Sequence, residues 1–133
     1  MAAAIEFVSP GNKDRPANRR ALAIKCASYL QQGASVLLVD IVTIRSSPIH
    51  HEIVALLSSA PGNGPAFGPL YSVAYRTVAS KESHVRLDAW PETLELGKSL
   101  PEMPLWLASD CVIPVNLENS YARTCATLRI RAG

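Results

Sequence analysis

Two carboxylates frame the chemistry available to this chain. Glu6 lies in the short apolar run Ile5-Glu6-Phe7-Val8, and Asp40 closes a second one, Val36-Leu37-Leu38-Val39-Asp40. Acids carried on two neighbouring strands are a common way to hold a divalent metal, because such ions want hard oxygen ligands. Lys25 lies between them in sequence, at the edge of an apolar helical stripe, from where it can reach back over a sheet toward Glu6. Each residue also has a plainer reading. Glu6 pairs with Lys25 or an arginine, since an unpaired buried carboxylate is costly. Asp40 caps the turn after its strand. Lys25 lays its stem on apolar surface and keeps its ammonium in water.

The elements that must position these residues follow from spacing and punctuation. Ile5 to Val8 reads as a strand ended by Pro10-Gly11-Asn12, where the Asn12 side chain holds the turn. Pro16 suits the first turn of a helix over Arg15 to Gln32. Leu22, Cys26, Tyr29 and Leu30 form its apolar stripe, and Gly33 its stop. Val36 to Ile44 is nearly continuous and rich in β-branched residues, as in a strand covered on both faces. Strand, helix and strand in this order predict a parallel crossover. Ile49 to Leu57 reads as a short helix, Pro61 to Pro69 as a loop, and Leu70 to Val78 and Val85 to Trp90 as strands. The turn between those strands is at Lys81-Glu82-Ser83, and Leu94 to Leu96 extends the antiparallel part. Leu100 to Leu105 should be extended but irregular, because its prolines cannot donate to a central ladder. Asn116 to Leu128 closes the chain as a helix with Leu117, Tyr121, Cys125 and Leu128 on one face. The expected class is α/β, a mixed sheet with one strand–helix–strand crossover, in a single domain over 1–133.

Bulk properties exclude several classes. The chain has 133 residues and a formal net charge of +2, enough for one sizeable core and too balanced to imply nucleic acid by charge alone. Lys13, Arg15, Arg19, Arg20 and Lys25 nevertheless cluster, as a solvated helix face or a phosphate-facing patch. Three cysteines, with no Cys-x-x-Cys pair, argue against a disulfide framework or structural zinc site. Buried free thiols in a reducing cytoplasm are the simpler account. The start has no basic, long-apolar signal-peptide pattern, and no run is long enough to cross a bilayer. His50-His51-Glu52 reads as surface or loop residues, because adjacent side chains diverge, and His84 stands alone. Gly62-Asn63-Gly64 lacks a following Lys-Ser/Thr. Ser9 sits in no nucleophile elbow. Trp90 and Trp106 read as packing aromatics.

The run Ile5-Glu6-x-x-Ser9-Pro10-x-Asn12-Lys13 resembles the signature of a bacterial family, domain of unknown function 4058. Lys25, Tyr29, Gly33 and Asp40 fall where that family has a helix, a glycine turn and an acid-ended strand. Trp90-Pro91, Leu100-Pro101, Pro104-Leu105, Pro114-Val115, Leu117 and Tyr121-Ala122-Arg123 resemble its later pattern. The unit is also similar to part of the PD-(D/E)XK, or restriction-endonuclease-like, fold, one branch of which carries Glu-x-x-Ser-Pro and Lys-x-x-x-Tyr-x-x-x-Gly. That resemblance implies a Mg²⁺ site at Glu6 and Asp40, with Lys25 positioning or activating the attacking water and Lys13 a weaker substitute. The ion would generate hydroxide and neutralise charge developing on a phosphodiester.

Two departures alter what it implies. Only Met1 to Ala4 precede Ile5, so the strand carrying the superfamily's first metal-binding Asp is absent. Val8 stands where a lysine follows the acid by two residues. The expectation for this chain is therefore an N-terminally truncated, restriction-endonuclease-like domain, the C-terminal part of a larger fold, vestigial and inactive. The alternative is a Mg²⁺-dependent nuclease acting on nucleic acid. A lost neighbouring strand would leave an open sheet edge, through which the chain would form a homodimer or be poorly stable.

Overall fold

The computed structural model describes residues 1–43, 48–58, 68–82 and 85–131. Ile44, Gly62-Asn63-Gly64, most of the Pro61–Pro69 segment, Ser83 and His84 lie outside these residues. The chain is a mixed α/β protein. Strand β1 (Ala3–Phe7) runs into the single turn α1 (Pro10–Lys13), then α2 (Pro16–Gln31) and β2 (Ser35–Asp40). Pro16 takes the first helical position of α2, where its missing N–H removes no bond. Gly33 leaves the helix at φ 82, a conformation that favours glycine. Helix α3 (Ile49–Leu57) and strands β3 (Tyr71–Ala79) and β4 (Val85–Thr93) follow. The chain closes with β5 (Glu102–Ala108), β6 (Cys111–Asn116) and α4 (Leu117–Leu128).

The main sheet has the order β1-β2-β3-β4. As expected for a strand–helix–strand unit, β1 and β2 are parallel, with Ile5 beside Leu37 and Phe7 beside Val39. The two later pairings are antiparallel. Every residue of β2 is buried, because its faces have different covers. Val36 and Leu38 pack with Leu22, Cys26 and Leu30 of α2 and Ile49 and Ile53 of α3. Leu37 and Val39 pack with Met103, Leu105 and Leu117 from the β5-β6 ribbon and α4. This explains the nearly continuous apolar run: alternation is lost when both faces need apolar residues.

Several expectations are corrected. The Leu100–Leu105 segment becomes regular strand from Glu102, and β6 joins it in a separate ribbon. Pro104 lies directly opposite Pro114 there, and a two-stranded ribbon leaves each strand a free side on which a missing donor costs nothing. The antiparallel part is not extended to Leu96: β4 ends at Thr93, with one more bond from Leu94 N–H to Leu70 O. In α4 only Leu117 and Cys125 are buried, whereas Tyr121 and Leu128 are exposed. Cys111, expected buried, is exposed on β6. Trp90 and Trp106 do pack together, with ring centroids 4.2 Å apart and the Arg76 guanidinium over both. No helix among the described residues is long and apolar enough to cross a membrane.

Candidate functional site

Strand alternation and the β1–β2 register put Glu6 and Asp40 on the same sheet face. Glu6 lies beside Leu38, and Asp40 is two residues further along β2; residues two apart share a face. That face carries α2 and α3, so both carboxylates point toward the helices. The segment joining β1 to β2 gives each of them its own lysine.

Lys13 arrives first. After β1 the Ser9 N–H and Oγ–H both donate to Asn12 Oδ1, each at 2.8 Å, as expected for Asn12. This tightens the Ser9-Pro10-Gly11-Asn12 turn and directs Lys13, at the end of α1, inward. Its Nζ lies 2.8 Å from Asp40 Oδ2, with the two side chains 3% and 0% exposed. Nζ also donates to Val42 O at 3.0 Å, while Val42 N–H donates to Asp40 Oδ1 at 3.1 Å. Asp40 thus caps the turn after its strand and neutralises a buried ammonium, with both oxygens engaged.

Lys25 is presented by α2. Its Nζ lies 2.9 Å from Glu6 Oε1, but here the side chains are 51% and 16% exposed. The hydrogen bond and charge of Glu6 raise the Lys25 pKa above its ordinary value. Glu6, Asn12, Asn18 and Lys25 line a shallow cleft of about 550 Å³. One lysine therefore serves each acid, and the two pairs differ mainly in their access to water.

A second buried polar group lies beside Asp40. Tyr71 is its register partner on β3. Burial first, then the Asp40 charge, pushes the Tyr71 phenol well above its ordinary pKa. On α3, His50 is buried, correcting its reading as a surface residue. Its Nδ1 lies 2.6 Å from the Tyr75 hydroxyl, and burial, aided by His51, pushes its pKa down to about 4. The sequence did contain a signal: Ile49, His50 and Ile53 fall at helical spacing on the buried side of α3. His51 is exposed, and Glu52 lies 3.7 Å from Arg19 Nε. Thus three members of the basic cluster, Lys13, Arg19 and Lys25, face carboxylates.

As a donor set for Mg²⁺ this arrangement fits poorly. The ion needs near-octahedral oxygen coordination, and the Asp40 oxygens already face the Val42 N–H and the Lys13 ammonium. Among the described residues no three or more His, Cys, Asp or Glu side chains come close enough together to hold a metal. No family model, curated protein or solved structure matches this chain.

Proposed function

We propose that this chain is a non-catalytic structural module, a vestigial relative of restriction-endonuclease-like domains. One observation carries the reading: each carboxylate that could ligate a metal is already matched by a lysine from the segment between β1 and β2. Withdrawing Asp40 to a cation would strand a buried ammonium, which costs several kcal/mol by the general penalty for an uncompensated buried charge. The kinship itself rests on the sequence motif and on the order of Glu6, Lys25 and Asp40 along a parallel strand–helix–strand unit. The alternative, a Mg²⁺-dependent nuclease, draws on the Glu6–Lys25 pair at the rim of an open cleft. Nucleic-acid binding by the basic cluster is disfavoured, since Lys13, Arg19 and Lys25 each already face a carboxylate of the same chain.

Titration with Mn²⁺ in a calorimeter, wild type beside Glu6→Ala, separates the readings. The module predicts no saturable heat in either protein. Saturable binding in the wild type that disappears in Glu6→Ala would overturn it and make Glu6 a metal ligand.

A further inference from the structure

We infer that the outer edge of β1 is a self-association surface that takes the β1 strand of a second copy, joining two four-stranded sheets into one. This rests on the structural-module reading and extends it by naming a partner. The two fail separately, because the metal titration reads Glu6 and the association reads Ile5 and Phe7.

The argument starts from the main chain. Among the described residues nothing pairs with the outer side of β1, the first strand of the sheet. Two bonds set the phase of its ladder: Ser35 N–H to Ala2 O, and Val8 N–H to Val39 O. In a parallel ladder alternate residues turn both main-chain groups to the same neighbour. Ala2, Ala4, Glu6 and Val8 therefore face β2, and the N–H and C=O groups of Ala3, Ile5 and Phe7 point away from the sheet. An open row of this kind is a template for another strand.

Side chains at these positions add to the case. Ile5 and Phe7 are 43% and 61% exposed and lie on one face, that of Leu37 and Val39. No proline or charge occupies an outward-facing position. On the opposite edge of the sheet, Leu94 N–H donating to Leu70 O sets the phase of the β3–β4 ladder, and Pro91 falls at an outward position, where it offers no donor. Natural sheets use proline to blunt an edge in this way, and β1 has none.

The sequence of β1 also suits a copy of itself. In a two-fold antiparallel pairing centred on Ile5, Ile5 meets Ile5 and the small Ala3 meets the large Phe7. All three positions have outward main-chain groups, so they form closely spaced pairs with about six hydrogen bonds in total. On the other face Glu6 meets Ala4, so no like charges oppose. The contact uses the same patch on both copies and closes as a dimer rather than a filament.

The test is sedimentation of the full chain over about a hundredfold range of concentration, with thermal melts at each end. Ile5→Pro removes only an outward N–H and leaves the β1–β2 ladder intact. Phe7→Lys places a charge at a position already exposed. Val112→Lys, on exposed β6, is the control. The wild type and Val112→Lys should be dimers whose Tm rises with concentration. Both β1 variants should be monomers with cooperative, concentration-independent melts. Amide exchange at Ile5 and Phe7 should be slow in the wild type and fast in Phe7→Lys. If Ile5→Pro does not fold, Phe7→Lys decides. A wild type that stays monomeric, or a dimer unchanged by Phe7→Lys, would overturn the inference.

Discussion

Asp40→Asn is the most informative single change. It keeps a side-chain oxygen for Val42 N–H and nearly the same volume, but removes the charge opposite Lys13. The ammonium then keeps Val42 O as an acceptor and loses its counterion, in a place where the Lys13 side chain is only 3% exposed. Breaking a buried pair by removing one partner costs roughly 3–5 kcal/mol, against a total stability of about 5–15 kcal/mol for a domain. With a urea slope of about 2 kcal/mol/M, the midpoint should fall by roughly 2 M. Lys13→Met alone should be comparably harmful, because it strands the carboxylate. The double variant Lys13→Met/Asp40→Asn should recover much of the loss, since no buried charge remains unpaired. Urea unfolding of the four proteins, followed by circular dichroism, gives the cycle. Single variants costing under about 1 kcal/mol, the range of solvated pairs, would refute the reasoning. So would a double variant whose cost equals the sum of the singles.

Other outcomes follow from the same structure. Lys25→Met should move the urea midpoint far less than Lys13→Met, because Lys25 is half exposed and its attraction to Glu6 is screened; equal shifts would contradict this. His50 should make stability fall with acid. Its folded pKa of about 4 lies below the unfolded value of about 6.5, so the unfolded chain binds the extra proton first. Stability tied to neutral His50 is full above the unfolded value, declines as pH drops through it, and is exhausted below the folded one. That amounts to about 2 kcal/mol between about pH 7.5 and pH 5, and His50→Gln should show a correspondingly smaller acid loss in paired urea melts. Thiol labelling at neutral pH should modify exposed Cys111 promptly, whereas Cys26, buried and with its pKa pushed up to about 12 by burial first and then by Glu6, should react only in denaturant. Fast labelling of Cys26 in the native protein would show that the α2–sheet core opens. Asn12→Ala should cost about 1 kcal/mol in urea melts by removing the acceptor that holds the Ser9 turn; an unchanged midpoint would mean that the turn needs no side-chain bond.

Much of the fold was legible locally. Pro16 and Gly33 bracket α2, the β-branched run marks β2 as a doubly covered strand, and Ile49 to Leu57 forms the short helix that its spacing predicts. These signals work because helix ends and strand burial depend on the residues of the element itself. The β5-β6 ribbon was not legible, because prolines that rule out a central strand are tolerated where a strand keeps a free side.

By itself the sequence determined which groups were present: two carboxylates at the ends or edges of apolar runs, and a cluster of cations in the segment between them. It also determined that Asn12 would hold the turn after β1, a bond between residues three apart. Only the tertiary structure decided which cation meets which acid. Lys13, 27 positions before Asp40, is buried against it, whereas Lys25 meets Glu6 at the surface. It likewise drew His50 into the core beside Tyr75 and left Ile5 and Phe7 on an open edge. Such choices depend on contacts between distant segments, and the same residue types are consistent with either partner until the sheet and helices close around them.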